Sequence, residues 1–209
     1  MVANDKSKYD WAAYYDKTEG RPPRETTLFA LDKFESKPFY GFGDKNLLAV
    51  DLGCGAGRDT IECLRRGWGV IAIDSEKKAI DKLSIRKDIP SNAQLTLQVG
   101  KIEDSIWPTC DFINSSFALP LVESEKFNSV WKNIRKSLKE GGRIACQLFG
   151  ERDSWFGKSG MTFHNRHTVD LLLEGWVIEM LREEVEQSIT VRGELKLWHI
   201  FHIVAKKVS

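Results

Sequence analysis

The sequence predicts an α/β protein, a mostly parallel sheet with helices on both faces. Two observations lead there. Residues 47–74, LLAVDLGCGAGRDTIECLRRGWGVIAID, read in order as apolar strand, glycine-rich turn, helix, second apolar strand and terminal acid. Beyond them, segments with helical spacing keep alternating with short apolar runs to the end of the chain. Length and composition agree. With 209 residues, 42% hydrophobic and 29% charged, the chain can bury a full core, so one domain spanning 1–209 is expected.

Each element follows from its own residues. The run 47–50 is apolar on both faces, as a buried parallel strand requires, and Asp51 ends it. Gly53, Gly55 and Gly57 then form a G-x-G-x-G turn with Cys54 inside it. Glycine permits positive φ and, lacking a Cβ, lets backbone lie against a ligand. A helix over 58–66 stops at Gly67, and 69–73 read as a second buried strand tipped by Asp74. Ser75 is placed to cap a helix over 76–86. Residues 94–99 make a third strand, followed by Gly100, Lys101, Ile102, Glu103 and Asp104, and 110–114 make a fourth. Phe127, Val130, Trp131, Ile134 and Leu138 share one helical face, predicting an amphipathic helix over 123–139 that Gly141 and Gly142 end. A strand over 143–149, a short helix over 168–173, and strands over 176–184 and 194–206 joined by a turn at Arg192 and Gly193 complete the chain. No internal repeat, low-complexity tract or linker interrupts it.

The unit at 47–74 reads as a cradle for a nucleoside cofactor. An acid at the tip of the second strand can share its two oxygens between two ribose hydroxyls. The dinucleotide fingerprint would require a third glycine where Arg58 stands, so a pyrophosphate on the helix N-terminus is disfavoured. In open α/β sheets, ligands lie beyond the carboxyl ends of the central strands. Four loops therefore form the candidate site: the glycine turn, Asp74 with Ser75, the stretch from Lys101 to Asp104, and Asn114 with Ser115, Ser116 and Phe117.

The pattern D-x-G-x-G-x-G, with an acid 23 residues after the first, closely resembles motif I of the class I S-adenosylmethionine (SAM) dependent methyltransferases. W-A-A-Y-Y with R-P-P-R near the N-terminus, CDFINSSFALP, and the closing K-L-W-H-I-F-H-I-V-A-K-K are similar to the small-molecule enzymes of the tellurite-resistance and thiopurine type. The resemblance implies a Rossmann-like seven-stranded sheet whose last strand inserts antiparallel beside the fifth. It implies SAM as cofactor and S-adenosylhomocysteine (SAH) as product. Asp51 would face the cofactor's cationic amino end, Asp74 would hold the ribose, and the turn of Gly53, Cys54, Gly55 and Gly57 would bend under the methionine half. Ser75, Asn114 and Ser115 would complete the wall. Related enzymes place an acid and a small residue after strand three. Here Lys101 and Ile102 hold those places, so Ile102 would offer its backbone N–H to adenine and Glu103 is the nearest acid.

A sulfonium methyl needs no activation by protein, only an acceptor aligned at about 3 Å with water excluded. No invariant catalytic motif is expected. Trp11, Tyr14 and Tyr15 share one face of an N-terminal helix, and residues 1–25 are expected to close over the cofactor as a lid. Arg21 and Arg24 flank Pro22 and Pro23, a stiff segment that could aim Arg24 at the cofactor's carboxylate. Phe117, Trp155, Phe156 and His164 are expected over the active face, as an aromatic cage for a flat, thio-containing or cationic acceptor. Among the histidines only His164 is a plausible acid or base, and Tyr14 and Tyr15, as shapers of the acceptor site, are the other candidate catalytic residues.

Other classes are disfavoured. Lys plus Arg (31) balance Asp plus Glu (30), so no nucleic-acid footprint shows. Asn114, Ser115, Ser116 and Phe117 also lack the prolines of the N-P-P-Y motif of adenine and glutamine methylation. His164 with His167, and His199 with His202, have no carboxylate or cysteine partner at ligand spacing, so no metal is expected. The four cysteines show no C-x-x-C spacing and read as reduced thiols of a cytoplasmic protein. No apolar run approaches the ~20 residues that span a bilayer. The expected activity is methyl transfer to a small-molecule S, O, N or metalloid acceptor, with oligomeric state open. A non-catalytic SAM-binding regulatory module, an NAD-dependent oxidoreductase or an aminopropyl transferase are the alternatives on the same fold.

Overall fold

A computed structural model describes residues 11–18, 20–35, 47–191 and 193–208. In chain order the elements are α1 (Trp11–Thr18), α2 (Glu25–Glu35), β1 (Leu48–Leu52), α3 (Arg58–Arg65), β2 (Gly69–Asp74), α4 (Lys77–Ser84), β3 (Leu95–Val99), β4 (Cys110–Ser115), α5 (Ser124–Ser137), β5 (Leu138–Gly150), β6 (Phe163–His164), α6 (Arg166–Leu172), β7 (Trp176–Ile189) and β8 (Leu195–Lys207). Single 3₁₀ turns lie at Ile102–Asp104 and Leu119–Leu121.

The eight strands form one sheet, ordered β3-β2-β1-β4-β5-β8-β7, with β6 pairing β5 off that path. All neighbours are parallel except those of β8, which runs antiparallel to both β5 and β7. The antiparallel insertion beside the fifth strand thus stands where the resemblance places it, and the short β6 is an eighth strand that the sequence did not announce. Strand order reverses between β1 and β4, which opens a crevice above their carboxyl ends.

Alternation along the strands feeds two cores. Val50, Leu52, Ile73, Ile113 and Ile144 face α5 and α6, against Phe127, Trp131, Ile134 and Val169. Ala49, Val70, Ala72, Phe112 and Ala145 face α2, α3 and α4, against Leu31, Ile61, Leu64, Ile80 and Leu83. Each strand side chain lands on the opposite face from its neighbour, so both faces need helices. All four cysteines are free and buried. Burial lifts each thiol above its ordinary value, Cys110 to about 12.

Three local expectations change. Helix α4 starts at Lys77, and it is Asp74, not Ser75, that accepts the Glu76 N–H at its start (2.9 Å). Gly141 and Gly142 do not end α5, because β5 begins directly at Leu138. They lie instead in a bulge, where Cys110 pairs Leu138 but Phe112 pairs Arg143. A Cβ on Gly142 would sit 2.9 Å from the Asp111 carbonyl, so the strand can bulge only with glycine there. Helix α2 was not expected at all. Its inward positions Thr26, Thr27, Ala30 and Leu31 have helical spacing, but two are polar and hide the periodicity.

Candidate cofactor and acceptor site

The glycine turn sits directly on the end of β2. Gly53 and Cys54 both donate to the Ile73 carbonyl, at 2.8 and 3.0 Å. At Gly53 φ is +74°, and a Cβ would lie 2.1 Å from the Ala118 Cβ, so only glycine lets the turn approach the loop after β4. Gly57 opens α3 and packs against Leu83, away from the cavities. The Gly55 N–H donates to Asp74 Oδ2 (2.8 Å). Asp74 also accepts the Tyr15 hydroxyl at 3.3 Å. Burial raises the Asp74 carboxyl above its ordinary range, while the hydrogen bonds from Glu76, Gly55 and Tyr15 pull it back down.

Asp74 and Ser75 line a cavity of about 350 Å³, together with Gly53, Lys101, Ile102, Glu103, Phe117 and Tyr14. The four predicted loops therefore converge, with two residues set apart. Asn114 and Ser115 are buried beneath the floor, Ser115 donating to the Leu52 carbonyl (3.1 Å). Neither lines the cavities described here, because both side chains are spent holding strands together. Gly55, Cys54 and Asp51 lie in an adjoining cavity, with Tyr15 between the two. A Cβ on Gly55 would stand 2.7 Å from the Tyr15 ring, so this side chain of the N-terminal helix covers the bend.

Below the turn lies a buried polar network. Asp51 accepts Thr60 Oγ1 (2.5 Å) and Asn114 Nδ2 (2.8 Å). Burial pushes Asp51 up to about 7, and the nearby charge of Asp59 adds to it. Asp59 accepts the Arg24 N–H (2.8 Å), Ser116 Oγ (2.6 Å) and Asn114 Nδ2 (3.3 Å). Thr27 of α2 donates to Asn114 Oδ1 (2.8 Å). The network ties the segment before α2 to the carboxyl ends of β1 and β4. Asp59 was missed because an acid in the first turn of a helix reads as a solvated, dipole-matched residue.

Tyr14, Phe117 and Leu121 line both the Asp74 cavity and a further one of about 380 Å³. This second cavity is walled by Phe149, Trp155, Trp198 and the ends of β7 and β8, with Arg21 and Arg24 at its edge. Phe117 has φ 60°, the one positive φ among described non-glycine residues. Its N–H donates to Gln147 Oε1 (3.1 Å), and the Arg24 guanidinium lies 4.4 Å from its ring centroid. Gln147 in turn donates to Thr26 Oγ1 (2.8 Å), so one buried amide fixes both Phe117 and α2.

Several expected acceptor residues stand elsewhere. His164 is buried on β6 with its ring 4.6 Å from Phe127, and its Nε2 has no partner. Burial lowers its imidazole to about 4, so it is neither placed nor charged to act as the acid or base expected of it. Phe156 is exposed beside Phe163 and leaves the cavity wall. Tyr15 is a donor rather than a base, since burial and the Asp74 charge raise its phenol far above neutral pH. The Trp11 side chain and residues 1–10 and 19 of the expected lid lie outside the described residues. The cage of Phe149, Trp155 and Trp198 already holds a cation. Lys196 places its ammonium 5.2, 4.3 and 3.7 Å from the three centroids, paired with Asp153.

Residues 49–142 match a family described as "Methyltransferase domain". The match covers a little under half of the chain. Solved structures share its fold. TehB from Haemophilus influenzae superposes with a TM-score of 0.73 at 17% identity, over 94% of this chain and 67% of that one. The 1,6-didemethyltoxoflavin-N1-methyltransferase of Burkholderia thailandensis gives 0.65 at 15%, over 95% and 85%. Magnesium protoporphyrin IX methyltransferase from Synechocystis PCC 6803, solved with bound SAM, gives 0.58 at 14%, over 94% and 80%. No curated protein matches in sequence. Among the described residues, no helix is long and apolar enough to cross a membrane. No group of three or more His, Cys, Asp or Glu is arranged there to hold a metal ion.

Proposed function

We propose that the protein is a cytoplasmic, single-domain methyltransferase that moves a methyl group from SAM to a small-molecule S, O, N or metalloid acceptor. The observation that carries this reading is Asp74. Its carboxylate stands on a cavity floor, anchored by two backbone N–H groups, with one oxygen toward a third donor from the lid helix. A ribose hydroxyl is a donor of the same kind, and Gly55 beside it has no side chain, so only the Tyr15 ring would have to move for backbone-close contact. The residues present therefore fit a nucleoside cofactor.

When bound, SAM supplies an electrophilic methyl group. The chain's own part is to hold and to exclude. Asp74 would grip the sugar, and Ile102 and Glu103 would flank the adenine. Asp51, ionised by a cationic neighbour, would face the amino end, and Arg24 would reach the carboxylate. Tyr14 and Phe117 stand where the cofactor and acceptor cavities join, and their rings keep water from that junction. No base is assigned.

Replacing Asp74→Ala should weaken SAH binding by about 1.5–3 kcal/mol, roughly tenfold to a hundredfold, as one charge-assisted pair is lost. Calorimetry reads this directly, and unchanged affinity would contradict the reading. Release of SAH across a panel of thiols, phenols, amines and metalloid oxyanions would then identify the acceptor atom.

A further inference from the structure

The second cavity has a chemical character that narrows its occupant. Its walls are flat and aromatic, and at about 380 Å³ it suits a molecule of one or two rings. Aromatic walls ordinarily favour cations, because ring faces are electron-rich. Here the inner faces are already taken by Lys196, whose ammonium sits nearest Trp198 at 3.7 Å. Asp153 closes that pair off, accepting Lys196 Nζ together with the N–H groups of Trp155 (2.9 Å) and His199 (3.2 Å). The cage is thus built around the protein's own cation and has no room for another.

Two cations and two acids line the cavity wall, and one of the acids is already paired. Arg21 and Arg24 both line it, and among the described residues no ion pair joins either guanidinium to a carboxylate. Of the two acids on the wall, Glu184 is engaged by His202 Nε2 (3.3 Å) and Arg182 (3.9 Å). Glu186 stands exposed on β7, paired in register with Trp198.

Resting on the methyltransferase reading, we propose that the acceptor is a planar aromatic molecule carrying a negative charge. It occupies the cavity that Phe149, Trp155 and Trp198 help to wall and turns its anionic group toward Arg21 and Arg24. Its nucleophilic atom points to the Tyr14–Phe117 junction with the cofactor cavity. Both arginines also line the cavity beside Gly55, but the Arg24 guanidinium is engaged on the Phe117 ring, so exposed Arg21 is the one altered in the test.

The test titrates three isosteric probes, 2-naphthoate, 2-naphthamide and 2-(aminomethyl)naphthalene, into the full chain saturated with SAH. Naphthoate should bind at least tenfold more tightly than the other two. In Arg21→Glu, naphthoate should lose at least tenfold and the amine should become the tightest of the three. Equal affinities or a preference for the amine in the unaltered protein would overturn the proposal, as would an unchanged ranking in Arg21→Glu. SAH is titrated first. If SAH binds but naphthoate shows no preference, the acceptor class falls and the methyltransferase reading stands; if SAH does not bind, both fall.

Discussion

Tyr15 and Asp74 form a contact on the wall of the cavity proposed for the cofactor. The phenol donates to the same carboxylate oxygen that Gly55 engages, and the ring covers the bend where a glycine backbone would otherwise be open. On the proposed reading, a ribose arriving at Asp74 would displace that hydroxyl. Tyr15→Phe removes the competing donor and should tighten SAH binding by about 1 kcal/mol, near fivefold. Weaker binding would make Tyr15 a ligand contact instead of a cover. His164 and Lys196 show the converse. Both are ionisable side chains near the carboxyl end of the sheet, and both are sealed in, one against Phe127 and one inside three rings. Residue type alone suggests chemistry for them, and packing removes it.

Among the elements, α2 carries polar side chains into the core, where Thr26 and Thr27 fasten it to the sheet. Thr27 is fully buried, and its hydroxyl is the donor to Asn114 Oδ1. Thr27→Val keeps the shape and deletes the donor, leaving that oxygen unmet, and should cost about 1–3 kcal/mol in denaturant unfolding. A loss under ~0.5 kcal/mol would show that Asn114 finds another partner. The same helix marks the limit of what the sequence discloses. The strands β1 to β4, the glycine turn and Asp74 were legible, because each is a short apolar run or a residue type that the backbone demands. Helix α2, the bulge at Gly141 and Gly142, and the network through Asp59 and Gln147 were not. Their signals are polar residues whose partners lie far along the chain, and no local period reveals such pairings. The place of Trp198 on the wall of the second cavity was hidden for a related reason, since alternation tells which face a strand residue takes but not what stands over it.

For the molecule as a whole, the cofactor side of the sheet couples charge to stability. Asp51 is held up to about 7, above the value near 4 of an unfolded aspartate, so the folded state grips its proton more firmly. Its contribution is therefore most favourable at low pH, declines as pH rises from about 4 to about 7, and is constant above. Asp51→Asn should flatten that decline in melting temperature measured between pH 5 and 8, and an unchanged slope would mean that the carboxyl ionises freely. His164, lowered to about 4, acts in the opposite direction below pH 6.5, so the difference between variant and parent carries the result. On the proposed placement of SAM's ammonium beside Asp51, saturating SAM should likewise abolish the decline. A different consequence follows from the four cysteines, all enclosed and all held as thiols rather than thiolates. The exterior offers maleimide chemistry nothing to react with, so a single cysteine introduced on the outer tip of the β7–β8 hairpin would take a fluorophore selectively, with no background sites to remove first.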